Sequence, residues 1–172
     1  LVGLLTKDTI GKPAFYALSF LEHMGTQFLS KGPHYLLTKK GNGDLYLLCY
    51  NFCWFQQNGL ESDDEIDLDR IRQIRYEDER KLEMKITLRG MTERGEYTVK
   101  KRSLNKQSGS VLDEWGRLGY ETKLNREDVK YLQAISVPRI EMERVATDAY
   151  RNLEIGIKLQ PQEVVLLHIY KV

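Results

Sequence analysis

Six acidic side chains, Glu61, Asp63, Asp64, Glu65, Asp67 and Asp69, crowd into one short stretch. Hydrolytic carboxylate chemistry needs a pair held across a cleft, one member with a raised pKa. Neighbours in a polar stretch read instead as a solvated loop or helix start. Asp113 and Glu114 fall in an expected first helical turn, where the helix dipole already accounts for acidic residues. No carboxylate is assigned a catalytic role.

His23, His34 and His168 show no ligand spacing. Cys49 and Cys53 are too few for a structural zinc site, which wants four ligands. They read as small buried thiols. No metal and no cofactor are expected. No Ser sits in a Gly-x-Ser-x-Gly setting, and no Gly-rich loop has phosphate-cradling spacing. Lys39-Lys40 and Lys100-Lys101-Arg102 read as solvated strand faces, so no nucleic-acid contact is expected through this segment.

The most distinctive patch is Tyr50, Phe52, Trp54 and Phe55. On a strand, Tyr50, Phe52 and Trp54 share one face, opposite Cys49 and Cys53. Exposed in a row, such rings could stack on sugars. Large aromatics are usually mostly buried, so the favoured reading is core or an interface with a neighbouring domain.

The elements that carry these residues are mostly strands. Period-two patterns mark Phe28–Lys31, Tyr35–Lys39 and a long strand Leu45–Phe55, with a turn at Gly41-Asn42-Gly43-Asp44 closing a hairpin. Leu82–Leu88 and Glu96–Arg102 follow, then Ile140 with Met142, then Leu153–Leu159. Val164–Tyr170 is dense enough for burial on both faces. About eight strands with polar turns predict a mainly β fold, an antiparallel β-sandwich.

Helices are few. Pro13 starts one that runs to Met24, with Gly25 as a left-handed cap. Ala14, Ala17, Leu18 and Leu21 make one stripe, and Tyr16, Phe20 and Met24 lie beside it. A helix apolar over so much of its circumference needs cover on two sides. A small helical insertion is expected over about 110–136. There Ser110 caps a helix whose buried face is Leu112, Trp115 and Leu118, and Asn125 caps a second. Seven intervening residues are too many for a helix-turn-helix. Leu68, Ile71 and Ile74 hint at a further short helix.

The 172 residues suit one domain of ordinary globular composition, with net charge +1 and 41% hydrophobic residues. Ten Tyr, five Phe and two Trp supply bulk for a core. The longest apolar run, Leu45–Phe55, is far short of the ~20 residues of a membrane span. Two cysteines argue for no oxidising compartment, and the chain reads as cytoplasmic. It begins without Met, as a piece of a longer protein would.

Two groups of segments, taken in order, resemble a known family. Gly3-Leu4-Leu5-Thr6-Lys7-Asp8 followed by Gly11-Lys12-Pro13-Ala14-Phe15-Tyr16-Ala17 resembles the end of the catalytic barrel of glycoside hydrolase family 39, the β-xylosidase family. Lys101–Ser110, Asp113-Glu114-Trp115, Asn125–Asp128 through Tyr131-Leu132 and Pro138, and Leu159–Val164 resemble its C-terminal β-sandwich. The likeness thins through 56–80.

The resemblance implies that residues 1–25 are the tail of a (β/α)8 barrel, including its last helix, and that 26–172 form the sandwich. The family's two catalytic glutamates would lie upstream of Leu1, so no residue here inherits either role. The wording of Tyr76–Leu82 and of Gly109–Trp115 is closest to a subgroup fused behind an AraC-type DNA-binding region in bacterial transcription regulators. The expected role is a non-catalytic accessory domain of a sugar-responsive regulator of that kind. Its expected partners are the upstream barrel and a xylose-type sugar or oligosaccharide, with no membrane. The alternatives are the same domain of an active β-xylosidase, and a free-standing carbohydrate- or protein-binding sandwich.

Overall fold

The structure, a computed structural model, describes residues 3–54 and 80–172. The acidic stretch, the hinted helix at Leu68, Ile71 and Ile74, and Phe55 lie outside the described residues.

Eight strands are seen among the described residues: β1 (Gln27–Gly32), β2 (Tyr35–Lys39), β3 (Leu45–Tyr50), β4 (Leu82–Leu88), β5 (Glu96–Leu104), β6 (Arg139–Ala146), β7 (Leu153–Leu159) and β8 (Val164–Lys171). The helices are α1 (Pro13–His23), α2 (Leu112–Arg117) and α3 (Arg126–Ile135). An antiparallel six-stranded sheet runs β1-β2-β3-β8-β5-β6, and β4 pairs with β7 in a second, two-stranded sheet. This is the mainly β, antiparallel sandwich that the period-two patterns predict.

Alternation explains the small sheet. Leu82, Met84, Ile86 and Leu88 lie directly opposite Leu159, Ile157, Ile155 and Leu153, all turned inward. Outside, Glu83 pairs with Lys158 at 3.0 Å and Lys85 with Glu154 at 2.8 Å. Exposed pairs of this kind contribute little, so the inner row holds the sheet on. It packs on Leu47, Cys49, Tyr97, Val99, Val165, Leu167 and Ile169 of the larger sheet.

A second core lies on the opposite face of the six-stranded sheet. Phe20 of α1 is packed against Tyr46, Leu48, Leu104 and Leu166. β8 therefore buries Val165, Leu167 and Ile169 on one side and Leu166 on the other. That double burial is what its dense apolar run requires. The result is three layers: helix, large sheet, small sheet.

Three local expectations are corrected. The long strand stops at Tyr50, not Phe55, because Asn51 is diverted to other partners. Its N–H donates to the Glu163 carbonyl at 3.0 Å, and its Nδ2 donates to the carbonyls of Arg80 and Gln160 at 3.0 and 3.1 Å. Gly25 is not left-handed. A Cβ there would sit 2.3 Å from the Lys39 backbone, so close approach of the helix end to β2 demands glycine.

The third correction concerns α2. Its N-cap is Val111, not Ser110, and none of its residues is buried. Trp115 does not anchor the insertion to the sandwich. Its ring meets Tyr120 edge-to-face at 5.0 Å, and its Nε1 donates to the Glu121 carbonyl at 2.9 Å. The helix is six residues long, and the turn after it brings Tyr120 back onto Trp115, its N–H donating to the Trp115 carbonyl at 3.0 Å.

α3 provides the attachment instead. Asn125 Oδ1 caps it, accepting from the N–H groups of Glu127 and Asp128 at 2.8 and 2.9 Å, as its position predicts. Leu132 is buried, and Gln133 Nε2 donates to the Asp8 carbonyl and to Thr9 Oγ1. Lys7 Nζ reaches the Thr122 carbonyl at 2.8 Å. The insertion is tied to the segment that leads into α1.

Candidate functional site

The candidate aromatic surface leaves the sheet at the end of β3. Tyr50 is half-buried, and its ring lies edge-on to His34 at 6.3 Å. Beyond it the chain is no longer a strand, yet it still alternates. Asn51 and Cys53 are buried while Phe52 and Trp54 are 56% and 69% exposed. The two exposed rings meet edge-to-face at 5.0 Å.

Of the two favoured readings, core or an interface with a neighbouring domain, Phe52 and Trp54 do not take the first within this chain: both face solvent. The reason is the end of the ladder at Asn51, which lifts the following residues off the sheet. Gln162 holds the segment by donating through Nε2 to the Cys53 carbonyl. Glu163 holds the neighbouring turns, its two carboxylate oxygens accepting from Asn105 Nδ2 at 2.9 Å and the Gln160 N–H at 2.8 Å. Two apolar rings on a fixed base can stack on a sugar face or pack against protein.

A second surface lies on α1. Phe20 is 2% exposed, whereas Leu18 and Leu21 on the other side are 51% and 49% exposed. Phe15, Leu4 and Leu5 are exposed with them. The helix is covered on one of the two sides that its composition requires.

Acid–base candidates are poor. Tyr131 donates to Glu114 at 2.8 Å and, with the Arg117 guanidinium at 2.6 Å, holds that carboxyl below the usual range. Asp148 is held low by the Asn152 N–H at 2.7 Å, helped by the Asn152 side chain and the Tyr150 N–H. Both carboxylates stay ionised, the wrong direction for a general acid. Burial pushes the Cys49 thiol up to about 12, which removes the thiolate that a nucleophile or metal ligand needs. Among the described residues no three His, Cys, Asp or Glu side chains are grouped to hold a metal.

One constellation is invisible in the sequence. His168 Nε2 lies 2.7 Å from Asp44 Oδ2, with the imidazole stacked on Tyr46 at 4.5 Å and tilted against Tyr170 at 4.7 Å. It pins the 40–44 turn to β8. Only the register that sets Tyr46 opposite His168 brings these residues together.

No family model matches the chain. It is 22% identical over 170 residues to a β-xylosidase of Geobacillus stearothermophilus, spanning 99% of this chain and 29% of the relative. The structure of a glycoside hydrolase family 39 enzyme from Xanthomonas axonopodis pv. citri superposes with a TM-score of 0.75 at 18% identity, over 99% of this chain and 32% of that one. A monomeric β-xylosidase from Caulobacter crescentus CB15 gives 0.71 at 16% identity, over 97% and 32%. The chain thus has the fold of the C-terminal sandwich of family 39 enzymes, and it spans about a third of their length.

Proposed function

We propose that this chain is a non-catalytic β-sandwich accessory domain that docks on a (β/α)8 barrel through the outer face of α1. The single observation that supports this most is the two-faced helix. Phe20 is sealed into the sandwich while Leu18 and Leu21 on the same helix stand bare. Phe15, Leu18 and Leu21 recur at helical spacing as a second apolar stripe on the exposed side, more than singly scattered surface residues would give. Residues 1–25 are then the tail of the barrel and 26–172 the sandwich.

The parent protein is read as a cytoplasmic, sugar-responsive regulator of the AraC type, in which the barrel module takes a xylose-type sugar or oligosaccharide. The wording of Gly109–Trp115 supports this context. Among the described residues no helix is long and apolar enough to cross a membrane. The alternative reading, an active β-xylosidase, rests on the likeness to that enzyme of G. stearothermophilus. Exposure of Phe52 and Trp54 favours the third reading, a free-standing sandwich that binds carbohydrate or protein.

The test is a paired comparison. Leu18→Glu with Leu21→Glu should leave the melting temperature of the 172-residue chain unchanged. In the chain extended by whatever precedes it in its gene, the same pair should lower the melting temperature. Equal effects in both would remove the docking role. The upstream reading frame separates the contexts: a helix-turn-helix ahead of a barrel marks the regulator, a barrel alone with two strand-end glutamates marks the xylosidase, and a start codon near Leu1 marks the free-standing domain.

A further inference from the structure

The two outer strands of the six-stranded sheet are built differently. β1 slips register between Phe28 and Ser30, ends on Lys31 and Gly32, and is followed by Pro33. Bulges, lysines and prolines stop an edge from templating another strand. β6 has no bulge and no lysine or proline within it, and Pro138 stands only at its entry. From Arg139 to Ala146 it pairs with β5 without a break, and on its far side no described strand adjoins it. Every residue of β6 except Val145 is exposed. Ile140 and Met142, neighbours on one face, are 52% and 60% exposed.

We propose that β6 is a self-association edge, on which two copies of this chain pair β6 antiparallel to β6 and join their large sheets into one. The sequence Arg139-Ile140-Glu141-Met142-Glu143-Arg144 is complementary to itself in one register. A twofold axis through Glu141, normal to the sheet, sets Arg139 of each copy opposite Glu143 of the other. It also sets Ile140 opposite Met142 twice, closing the exposed apolar patch over itself. Glu141 meets its own copy at the axis, but each already has Arg139 at 2.9 Å and Lys101 at 3.6 Å to offset the like charge.

Other registers are worse. An axis at Met142 puts Glu141 against Glu143 twice and Ile140 against Arg144. An axis at Glu143 puts Met142 against Arg144 and Glu143 against its own copy. An axis at Ile140 shortens the overlap and sets Pro138, which has no N–H to give, against Met142, whereas the Glu141 axis leaves it at the end of the ladder against Arg144. Directly opposed charges and apolar pairs are what fix strand register. One strand edge buries less than the area of a standard stable interface, so the dimer is concentration-dependent.

The experiment is light scattering or sedimentation of the 172-residue chain from low to high micromolar concentration. The mass should climb from 20.1 kDa toward twice that value. Arg139→Glu or Glu143→Arg alone should weaken association about tenfold, as both opposed pairs become like charges. The double swap restores opposite charges and should restore the dimer. Both sites are exposed, and a circular-dichroism melt confirms that each of the three variants folds. A chain that stays monomeric throughout would overturn the proposal, as would a dimer indifferent to the single swaps or not rescued by the double. If another segment or another protein covers β6 instead, the chain stays monomeric.

Discussion

The hydroxyl of Tyr16 and the hydroxyl of Ser136 lie 2.9 Å apart, although 120 positions separate them. Tyr16 belongs to α1 and Ser136 ends α3, so this bond joins the first helix to the helical insertion. Ser136 is buried, and its hydroxyl also bonds to the Gln133 carbonyl at 2.9 Å. The helix that we propose as the barrel-facing element is thus clamped to the rest of the domain from two directions.

Tyr16→Phe should cost about 1 kcal/mol, the usual net worth of such a hydrogen bond. A double-mutant cycle with Ser136→Ala, followed by thermal melting, should show coupling of the same order. Additive effects would mean that the two hydroxyls act independently.

Phe20→Ala should cost about 3–5 kcal/mol, because it leaves a cavity against Tyr46, Leu48, Leu104 and Leu166. Leu18→Ala in the same chain should stay within about 0.5 kcal/mol, as exposed substitutions do. Removing residues 1–25 uncovers the same four side chains and should lower the melting temperature at least as far as Phe20→Ala. Denaturant titration of the three variants checks the ranking.

Trp115→Ala should be milder than loss of a buried tryptophan, about 1–2 kcal/mol for one ring contact and one hydrogen bond. Trp54→Ala should leave the melting temperature unchanged, since its ring touches only Phe52 among the described aromatics. Docking on a barrel predicts no binding of xylo-oligosaccharides to the chain. Binding that disappears in Trp54→Ala would instead establish a carbohydrate site on that surface.

Asp148 gives a pH dependence of known sign. Its folded-state pKa lies below the ordinary 3.8, so the stability that it adds is complete above that value. It is lost as pH falls through the lower folded value. Asp148→Asn should be less stable than the parent at pH 7, and the gap should close as pH falls through the lowered folded-state pKa. A gap of constant size across that range would show that the carboxylate charge is not what matters.

Much of this architecture is legible in the residues themselves. Leu153, Ile155, Ile157 and Leu159 alternate so regularly that an inward row is the only economical reading, and β7 has it. Val164–Tyr170 lacks a polar side, and β8 is buried on both. What escaped depends on distant partners. Nothing near Asn51 in sequence tells that the β7–β8 turn captures its backbone, so the end of β3 and the exposure of Phe52 and Trp54 were not readable. Helical spacing at Leu112, Trp115 and Leu118 carried no information on how short α2 is. Gly25 gave the helix end correctly for a different reason, close packing instead of a left-handed turn.

The central claim, that α1 carries a docking face for a preceding barrel, is met most directly by hydrogen–deuterium exchange of the Pro13–His23 peptide. Exchange is to be compared between the 172-residue chain and the chain extended by whatever precedes it in its gene. Docking predicts that the amides of this helix exchange many-fold more slowly in the longer protein, and that Leu18→Glu with Leu21→Glu abolishes the difference. Identical exchange in the two proteins would contradict it.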